Sequence, residues 1–337
     1  MSGIQIIGMG HAVPSVCVTN ADMKKIVDTS DEWIRTRTGI RERRFCGEGE
    51  SLATLAVRAA AEAIDSSGIR KEQIRLVITA TVTPDYQVPS TSCLVQEKLQ
   101  LPSGIPAFDI NAACSGFVYG LSLVQALLPE NEFALLIGAE QLSRMLDFSD
   151  RSTAVLFGDG AAAAVLKKKA GVPFYSHLAA GGNRSALWAA SAPANRLPAW
   201  QNAEAQAEEK EQSGGKPEDT GTYRIHMDGR AVFRFAVRAL SEELRELEKQ
   251  SGIPAEKVDQ IVCHQANQRI LDYVRKERGL PEEKFFRNLD RYGNTSGASI
   301  PLALYDLWNE GKLEPGTRVF CIGFGAGLTW AGACLTF

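Results

Sequence analysis

Asn111-Ala112-Ala113-Cys114-Ser115-Gly116 joins two readable elements. Before it, Ile105-Pro106-Ala107-Phe108-Asp109-Ile110 reads as a buried strand. After it, Phe117, Val118, Leu121, Val124, Leu127 and Leu128 form a helical apolar pattern that stops at Pro129. Cys114 is therefore placed at a strand-to-helix turn, where unpaired N–H groups and the helix dipole favour an anion. A thiol in that position is expected to titrate well below its free value of about 8.5 and to serve as a nucleophilic thiolate. Small neighbours leave room for a substrate. A free cysteine is equally a small buried hydrophobe, and the turn alone leaves both readings open. Cys17, Cys46, Cys93, Cys263, Cys321 and Cys334 lack this setting and read as packing or surface residues.

A second chemical group comes from the four histidines. His264 ends the apolar stretch Ile261-Val262-Cys263 and opens His264-Gln265-Ala266-Asn267-Gln268-Arg269. Ligands of α/β sheets collect at the carboxyl ends of strands. A hydrogen-bonded core histidine is the alternative. A third group, Asn294, sits in Gly293-Asn294-Thr295-Ser296-Gly297 ahead of an apolar helix start. It reads either as a side-chain N–H donor in a site or as the cap of that helix.

The elements that must hold these groups repeat. Ser67-Gly68-Ile69-Arg70-Lys71-Glu72-Gln73-Ile74-Arg75-Leu76-Val77-Ile78 matches Ser251-Gly252-Ile253-Pro254-Ala255-Glu256-Lys257-Val258-Asp259-Gln260-Ile261-Val262 at an offset of 184 residues without a gap. Each copy reads as a helix end, a turn and a short buried strand. Upstream, Leu52, Ala56, Ala60 and Ala63 share one helical face, and their counterparts Ala236, Leu240, Leu244 and Leu247 are apolar too. Phe157-Gly158-Asp159-Gly160-Ala161 is echoed by Phe324-Gly325-Ala326-Gly327-Leu328. At −184 from His264 stands Ala80, so the imidazole belongs to one half only. Strands alternating with helices of 12 or more residues predict an α/β layered fold of two duplicated halves. The halves are expected at 1–175, carrying the cysteine, and 222–337, carrying His264 and Asn294, joined by a connecting segment 176–221. Within it, 201–220 holds six acidic residues and two lysines and reads as a solvated loop.

Composition narrows the function classes. The chain has 337 residues, 45% apolar and 23% charged, with a net charge of −3. That is the balance of a globular protein, and it lacks the basic excess of a dedicated nucleic-acid binder. Seven cysteines without C-x-x-C spacing argue against a disulfide framework or a zinc site. No apolar run approaches the ~20 residues of a membrane span, and no signal peptide is recognisable, so a soluble cytoplasmic protein is expected.

Taken together, the chain resembles the β-ketoacyl-acyl-carrier-protein synthase III family. The resemblance rests on Asp28-Thr29-Ser30-Asp31-Glu32-Trp33-Ile34, Arg37-Thr38-Gly39-Ile40-Arg41-Glu42-Arg43, Ala112-Ala113-Cys114-Ser115-Gly116-Phe117, Phe157-Gly158-Asp159-Gly160-Ala161, His264-Gln265-Ala266-Asn267 and Gly293-Asn294-Thr295-Ser296. It runs nearly end to end, apart from roughly 188–220, which looks longer than the family usually carries. The resemblance implies a thiolase-like fold with an α-β-α-β-α core, usually in a homodimer. It implies a decarboxylating condensation of an acyl-coenzyme A primer with malonyl-acyl-carrier protein, which initiates type II fatty-acid synthesis. In that scheme Cys114 takes the acyl group, and His264 and Asn294 stabilise the enolate left by loss of CO₂. The backbone N–H groups of Cys114 and Ala326 form the oxyanion hole; many relatives carry Gly at the latter position. No metal or redox cofactor is called for, since the coenzyme A thioester is a substrate. By the same resemblance Trp33, Arg37 and Arg151 hold coenzyme A, Asn267 contacts pantetheine and Arg269 lies near the carrier-protein surface. Val88 matches a position that reaches the partner's acyl pocket. Five arginines crowd 35–44 (Arg35, Arg37, Arg41, Arg43 and Arg44), either as a solvated basic face or as a site for phosphates and an acidic protein.

Three rivals stand beside this reading. A thiolase would echo Cys321-Ile322-Gly323, but thiolases place Asn before His along the chain, the reverse of His264 and Asn294; Cys321 therefore reads as structural. A same-triad enzyme of a secondary polyketide or quinolone pathway would carry the same residues. A non-catalytic synthase partner would be expected to lack one of the three, and all three are present.

Overall fold

The computed structural model describes residues 2–190 and 224–337. The acidic 201–220 stretch and most of 188–220 lie outside the described residues. Two mixed sheets carry the structure. In the first, the strand order is Ser2–Ala12, Gly160–Ala170, Phe133–Glu140, Ile74–Ala80, Ala107–Ile110. In the second it is Tyr175–Ala180, Thr329–Thr336, Arg318–Gly325, Gln260–Cys263. The pairings run antiparallel, antiparallel, parallel in both sheets. The fifth strand of the first sheet pairs parallel to Ile74–Ala80. Its equivalent in the second shrinks to a single parallel bridge between Ile261 and Phe285.

The matching turns explain why the repeat is readable. The helices Leu52–Ser67 and Gly229–Ser251 both end on a left-handed glycine, Gly68 at φ 70° and Gly252 at φ 69°. Glycine reaches that conformation without the Cβ penalty. A short 3₁₀ turn follows each, Lys71–Gln73 and Ala255–Lys257, and then the parallel strand. This shared topology supports our proposal of halves at 1–175 and 222–337. One strand departs from those bounds. Tyr175–Ala180, which starts at the last residue of the expected first half and runs into the connecting segment, pairs with Thr329–Thr336 and is an edge of the second sheet. Edge strands pair on one side only, and this one has no partner in the sequence repeat.

Five layers result. Helices Gly116–Leu127 and Ser299–Asn309 lie between the sheets, where Phe117, Val118, Leu121, Ile300 and Leu304 pack against Ile78 and Leu136 of one sheet and Val262 and Val319 of the other. The first of these helices is apolar nearly all round because it meets a sheet on both sides. Leu52–Ser67 covers the outer face of the first sheet, and Gly229–Ser251 with Gln268–Glu277 covers that of the second. The strands alternate accordingly. Leu76 and Ile78 face the central helices, whereas Ile74 and Val77 face the outer one. Fully burying a side chain such as Phe117 contributes roughly 1.5–3 kcal/mol. The rigid centre this creates ends at the strand termini, where the chemistry-bearing residues project.

Candidate active site

Cys114 lies in the 3₁₀ turn Ala113–Ser115, directly before helix Gly116–Leu127. The turn is seated on the second half. Ser115 Oγ donates to the carbonyl of Thr329 at 3.1 Å, and Thr329 Oγ1 donates to the carbonyl of Ala112 at 3.0 Å. The Cys114 thiol donates to Ser296 Oγ at 3.4 Å. The helix-end position predicts a lowered thiol pKa; burial overturns that expectation and pushes the thiol up to about 12.

His264 follows strand Gln260–Cys263, and its backbone N–H donates to the carbonyl of Ile322 at 2.8 Å. Its ring is buried, and burial pushes it down to about 3, so it is neutral throughout the physiological range. Nδ1 lies 2.6 Å from Ser299 Oγ, and that oxygen also accepts the N–H of Gln265 at 3.4 Å. We assign the Ser299 hydroxyl as the donor to Nδ1. The ring proton is then on Nε2. The edge of Phe324 packs on the ring, with centroids 5.3 Å apart at 71°.

Asn294 is anchored across the halves by a backbone bridge to Phe157. Its N–H donates to the Leu156 carbonyl at 2.8 Å, and its own carbonyl accepts the N–H of Gly158 at 3.0 Å. The Phe157-Gly158-Asp159 motif thus holds Asn294 in place. Its side-chain Oδ1 accepts the N–H of Ser296 at 2.9 Å, which fixes the amide with Nδ2 as the remaining donor. Asn294 is not the cap of helix Ser299–Asn309, whose N-cap is Ala298 with no side-chain bond; its Oδ1 closes a local turn at Ser296, and it still has an N–H to offer.

All three residues line one cavity of about 120 Å³, otherwise walled mainly by apolar groups including Leu156, Leu187, Val232, Phe235, Ile270 and Leu328. Met227, Gly229, Phe233 and Asn267 also line a wider outer cavity of about 800 Å³, rimmed by Arg37, Arg230, Arg234 and Arg269. Trp33 and Arg37 share helix Asp31–Thr38. The guanidinium groups of Arg37 and Arg151 lie 4.8 Å and 4.7 Å from the Trp33 ring centroid, a cation–π arrangement. Asn267 caps helix Gln268–Glu277 by accepting the N–H of Arg269 at 2.9 Å. Ala326 is on the turn between strands Arg318–Gly325 and Thr329–Thr336, next to Gly325, which lines the inner cavity.

Family models for 3-oxoacyl-[acyl-carrier-protein] synthase III match residues 108–181, and the C-terminal model of the same synthase matches 248–337. The β-ketoacyl-[acyl-carrier-protein] synthase III of Clostridium perfringens is 42% identical over 99% of this chain and 99% of its own. That of Symbiobacterium thermophilum is 44% identical over 98% and 97%. The chain belongs to the β-ketoacyl-acyl-carrier-protein synthase III family. The crystal structure of the Aquifex aeolicus member superimposes with a TM-score of 0.86 at 39% identity, covering 99% of this chain and all of that one.

Seen as a synthase III, the molecule shows several residues that spacing alone does not flag. Arg230 and Arg234 project from helix Gly229–Ser251 into the outer cavity beside Arg269. Ser299 orients His264, and Ser296 meets the sulfur. Within the 35–44 cluster, Arg43 fits neither expected role. It is fully buried and donates to the carbonyls of Val18 and Val155 and to Asn20 Oδ1. Among the other histidines, His11 stacks on Tyr305, His226 on Trp188, and His177 bonds Glu243. Cys321 is wholly buried in the central core.

Gly325 provides a direct test of the packing at the sulfur. A Cβ there would meet the Cys114 backbone N at 2.8 Å, its Cβ at 3.0 Å and its Sγ at 3.2 Å. Gly325→Ala is expected to displace the Cys114 turn and slow acylation by about 10²-fold, the scale on which small misplacements act. Stopped-flow measurement of thiol release from an acyl thioester checks it.

Proposed function

We propose that this synthase III condenses an acyl-coenzyme A primer with malonyl-acyl-carrier protein, releasing CO₂ and giving 3-oxoacyl-acyl-carrier protein, the step that initiates type II fatty-acid synthesis. The single observation that carries the reading is the convergence of Cys114, His264 and Asn294 on one narrow cavity beneath a basic mouth. Cys114 Sγ attacks the primer thioester and holds the acyl group. Loss of CO₂ from the malonyl group then leaves an enolate, whose oxygen takes hydrogen bonds from His264 Nε2–H and Asn294 Nδ2–H. Both donors are neutral, so each stabilises developing charge without competing for a proton. The enolate carbon attacks the acyl-Cys114 carbonyl, and the N–H groups of Cys114 and Ala326 receive its oxygen. The close approach of Gly325 to Cys114 supports the assignment of Ala326.

The outer cavity suits phosphates and an acidic protein. Trp33 offers a face for adenine stacking, with Arg37 and Arg151 alongside it for phosphate. Asn267, shared by the two cavities, is placed to contact a pantetheine arm passing between them. Arg269 with Arg230 and Arg234 supplies a positive surface for acidic carrier protein. Val88 is 83% exposed and Tyr86 58%. These apolar side chains support a homodimer in which a second copy covers them. No helix among the described residues is long and apolar enough to cross a membrane. Chemistry without a resident cofactor is part of the proposal.

Incubation with a series of acyl-coenzyme A thioesters, followed by intact-mass measurement and peptide mapping, tests the reading. One acyl group per chain on Cys114 is the expected result. Acylation elsewhere, or none with any primer, would overturn it.

A further inference from the structure

Glu140 is the last residue of strand Phe133–Glu140, fully buried beside the nucleophile, and the condensation described above gives it no task. Its Oε2 accepts from Thr83 Oγ1 at 2.7 Å, the N–H of Val82 at 3.1 Å and Thr81 Oγ1 at 3.4 Å. Its Oε1 accepts from Ser296 Oγ at 3.1 Å and the N–H of Gly297 at 3.3 Å. Ser296 Oγ in turn accepts the Cys114 thiol at 3.4 Å. A continuous path of donors therefore runs from sulfur to hydroxyl to carboxylate. Among the described residues the inner cavity holds one other titratable side chain, His264, and its Nδ1 is occupied by Ser299. The thiol needs a base, and the imidazole is poorly suited to the task.

We infer that Ser296 and Glu140 form a buried proton relay that takes the proton of Cys114 on acylation and returns it on condensation. The inference rests on the acyl-Cys114 reading above. On acylation, the bond from Cys114 Sγ to the acyl carbon forms. The thiol proton passes to Ser296 Oγ as the hydroxyl proton passes to Glu140 Oε1. The bond to coenzyme A sulfur breaks, and that thiolate takes a proton from solvent. On condensation, the malonyl group loses CO₂, the enolate carbon bonds to the acyl carbon, and the Sγ–C bond breaks. The sulfur then recovers its proton from Glu140 through Ser296. One solvent proton enters per turnover, balancing the carboxylate lost as CO₂.

Burial pushes Glu140 up to about 7, so it can hold a proton at neutral pH and can also release one. Held protonated in the acyl-enzyme, it adds no negative charge beside the place where a malonyl carboxylate must enter. The groups around it are few. From the turn after Ile74–Ala80 it faces Thr81 and Thr83, and across the sheet it pairs with Gly160. From the 296–298 turn it faces Ser296 and Gly297, and from the 113–115 turn it faces Cys114, whose thiol feels its charge. Asp159, next to Gly160, is turned away to Ser143 and the N–H of Cys46.

Single-turnover kinetics on the full chain separate this relay from a merely structural carboxylate. In the unmodified protein, acylation should rise with pH through an inflection near 7 as Glu140 becomes carboxylate. Condensation from preformed acyl-enzyme should fall through the same region as Glu140 loses its proton. Ser296→Ala keeps the Val82 and Gly297 contacts of Glu140 and should slow acylation about 10²-fold, the lower range for general base catalysis. Its acylation should then climb steadily into the alkaline range, and Glu140→Gln should remove the inflection. A Ser296→Ala protein that acylates with unaltered rate and profile would overturn the relay. So would acylation by the unmodified protein that is independent of pH between about 6 and 8, a result that needs no variant to fold. If the unmodified protein does not acylate Cys114 at all, it is the acyl-enzyme reading that fails, and the two failures are distinguishable.

Discussion

Cys114→Ala is expected to lower condensation by roughly 10⁴-fold or more, the scale on which removing a covalent nucleophile acts, while leaving decarboxylation of malonyl-acyl-carrier protein within about tenfold of its original rate. The first half of the expectation follows from the cavity. No second thiol lines it, and Cys263, Cys321 and Cys334 are buried elsewhere in the core. No other nucleophile among the described residues lines the cavity to take over. The second half follows from independence of support. The His264 ring is held by Ser299, and the Asn294 amide by the N–H of Ser296, with its backbone on Leu156 and Gly158. None of those contacts involves the sulfur. Intact-mass measurement should show no acyl adduct on the variant, and CO₂ release should persist without carbon–carbon bond formation. A variant that still condenses would show that the sulfur is not the acyl carrier.

The fold was legible where local chemistry repeats. Ser67-Gly68 and Ser251-Gly252 signal the same helix end because only a residue tolerant of the left-handed region closes it, and Gly68 and Gly252 take nearly the same φ. The apolar faces at Leu52–Ala63 and Ala236–Leu247 are readable for the same reason, since both are buried against a sheet. Tyr175–Ala180 escaped because its strand role comes from pairing with a segment more than 140 residues later, not from its own composition.

The site divides along the same line. Cys114, His264 and Asn294 stand at strand or helix termini, where spacing reveals them. Glu140 and Ser299 occupy termini too, and Ser296 opens a short turn, yet nothing local assigns any of them a role. Their significance lies in contacts that span 182 residues from Cys114 to Ser296, 156 from Glu140 to Ser296 and 35 from His264 to Ser299. A single hydroxyl or carboxylate carries no local mark of such a contact. The setting of the thiol is half visible for a related reason. A helix terminus is visible in sequence and favours the anion, whereas the depth of burial that outweighs it depends on both halves closing over the turn. Arg43 shows the same effect, since a charge run says nothing about which member is buried.

His264→Ala and Asn294→Ala are each expected to lower condensation by about 10²–10³-fold, the usual cost of one donor aimed at a developing oxyanion, while Cys114 still becomes acylated. The separation is geometric. In the proposed mechanism acylation draws on the sulfur, its proton acceptor and the N–H groups at the Cys114 turn, whereas the two donors act on the enolate of the second substrate. Their pH behaviour gives a further check. Because burial lowers His264 to about 3, the ring is neutral from about pH 4 upward, and stronger acid adds a proton at Nδ1 without removing the Nε2–H. Decarboxylation should therefore show no histidine limb between about pH 5 and 8. Ser299→Ala removes the hydroxyl that holds Nδ1 and leaves the ring free to place its proton on either nitrogen. Its decarboxylation should fall as well, and by less than His264→Ala, because the wrongly protonated ring is only a fraction of the molecules. If His264→Ala instead blocked acylation and spared CO₂ release, the imidazole would be serving the sulfur. The division of labour between the two halves of the molecule would then have to be reversed.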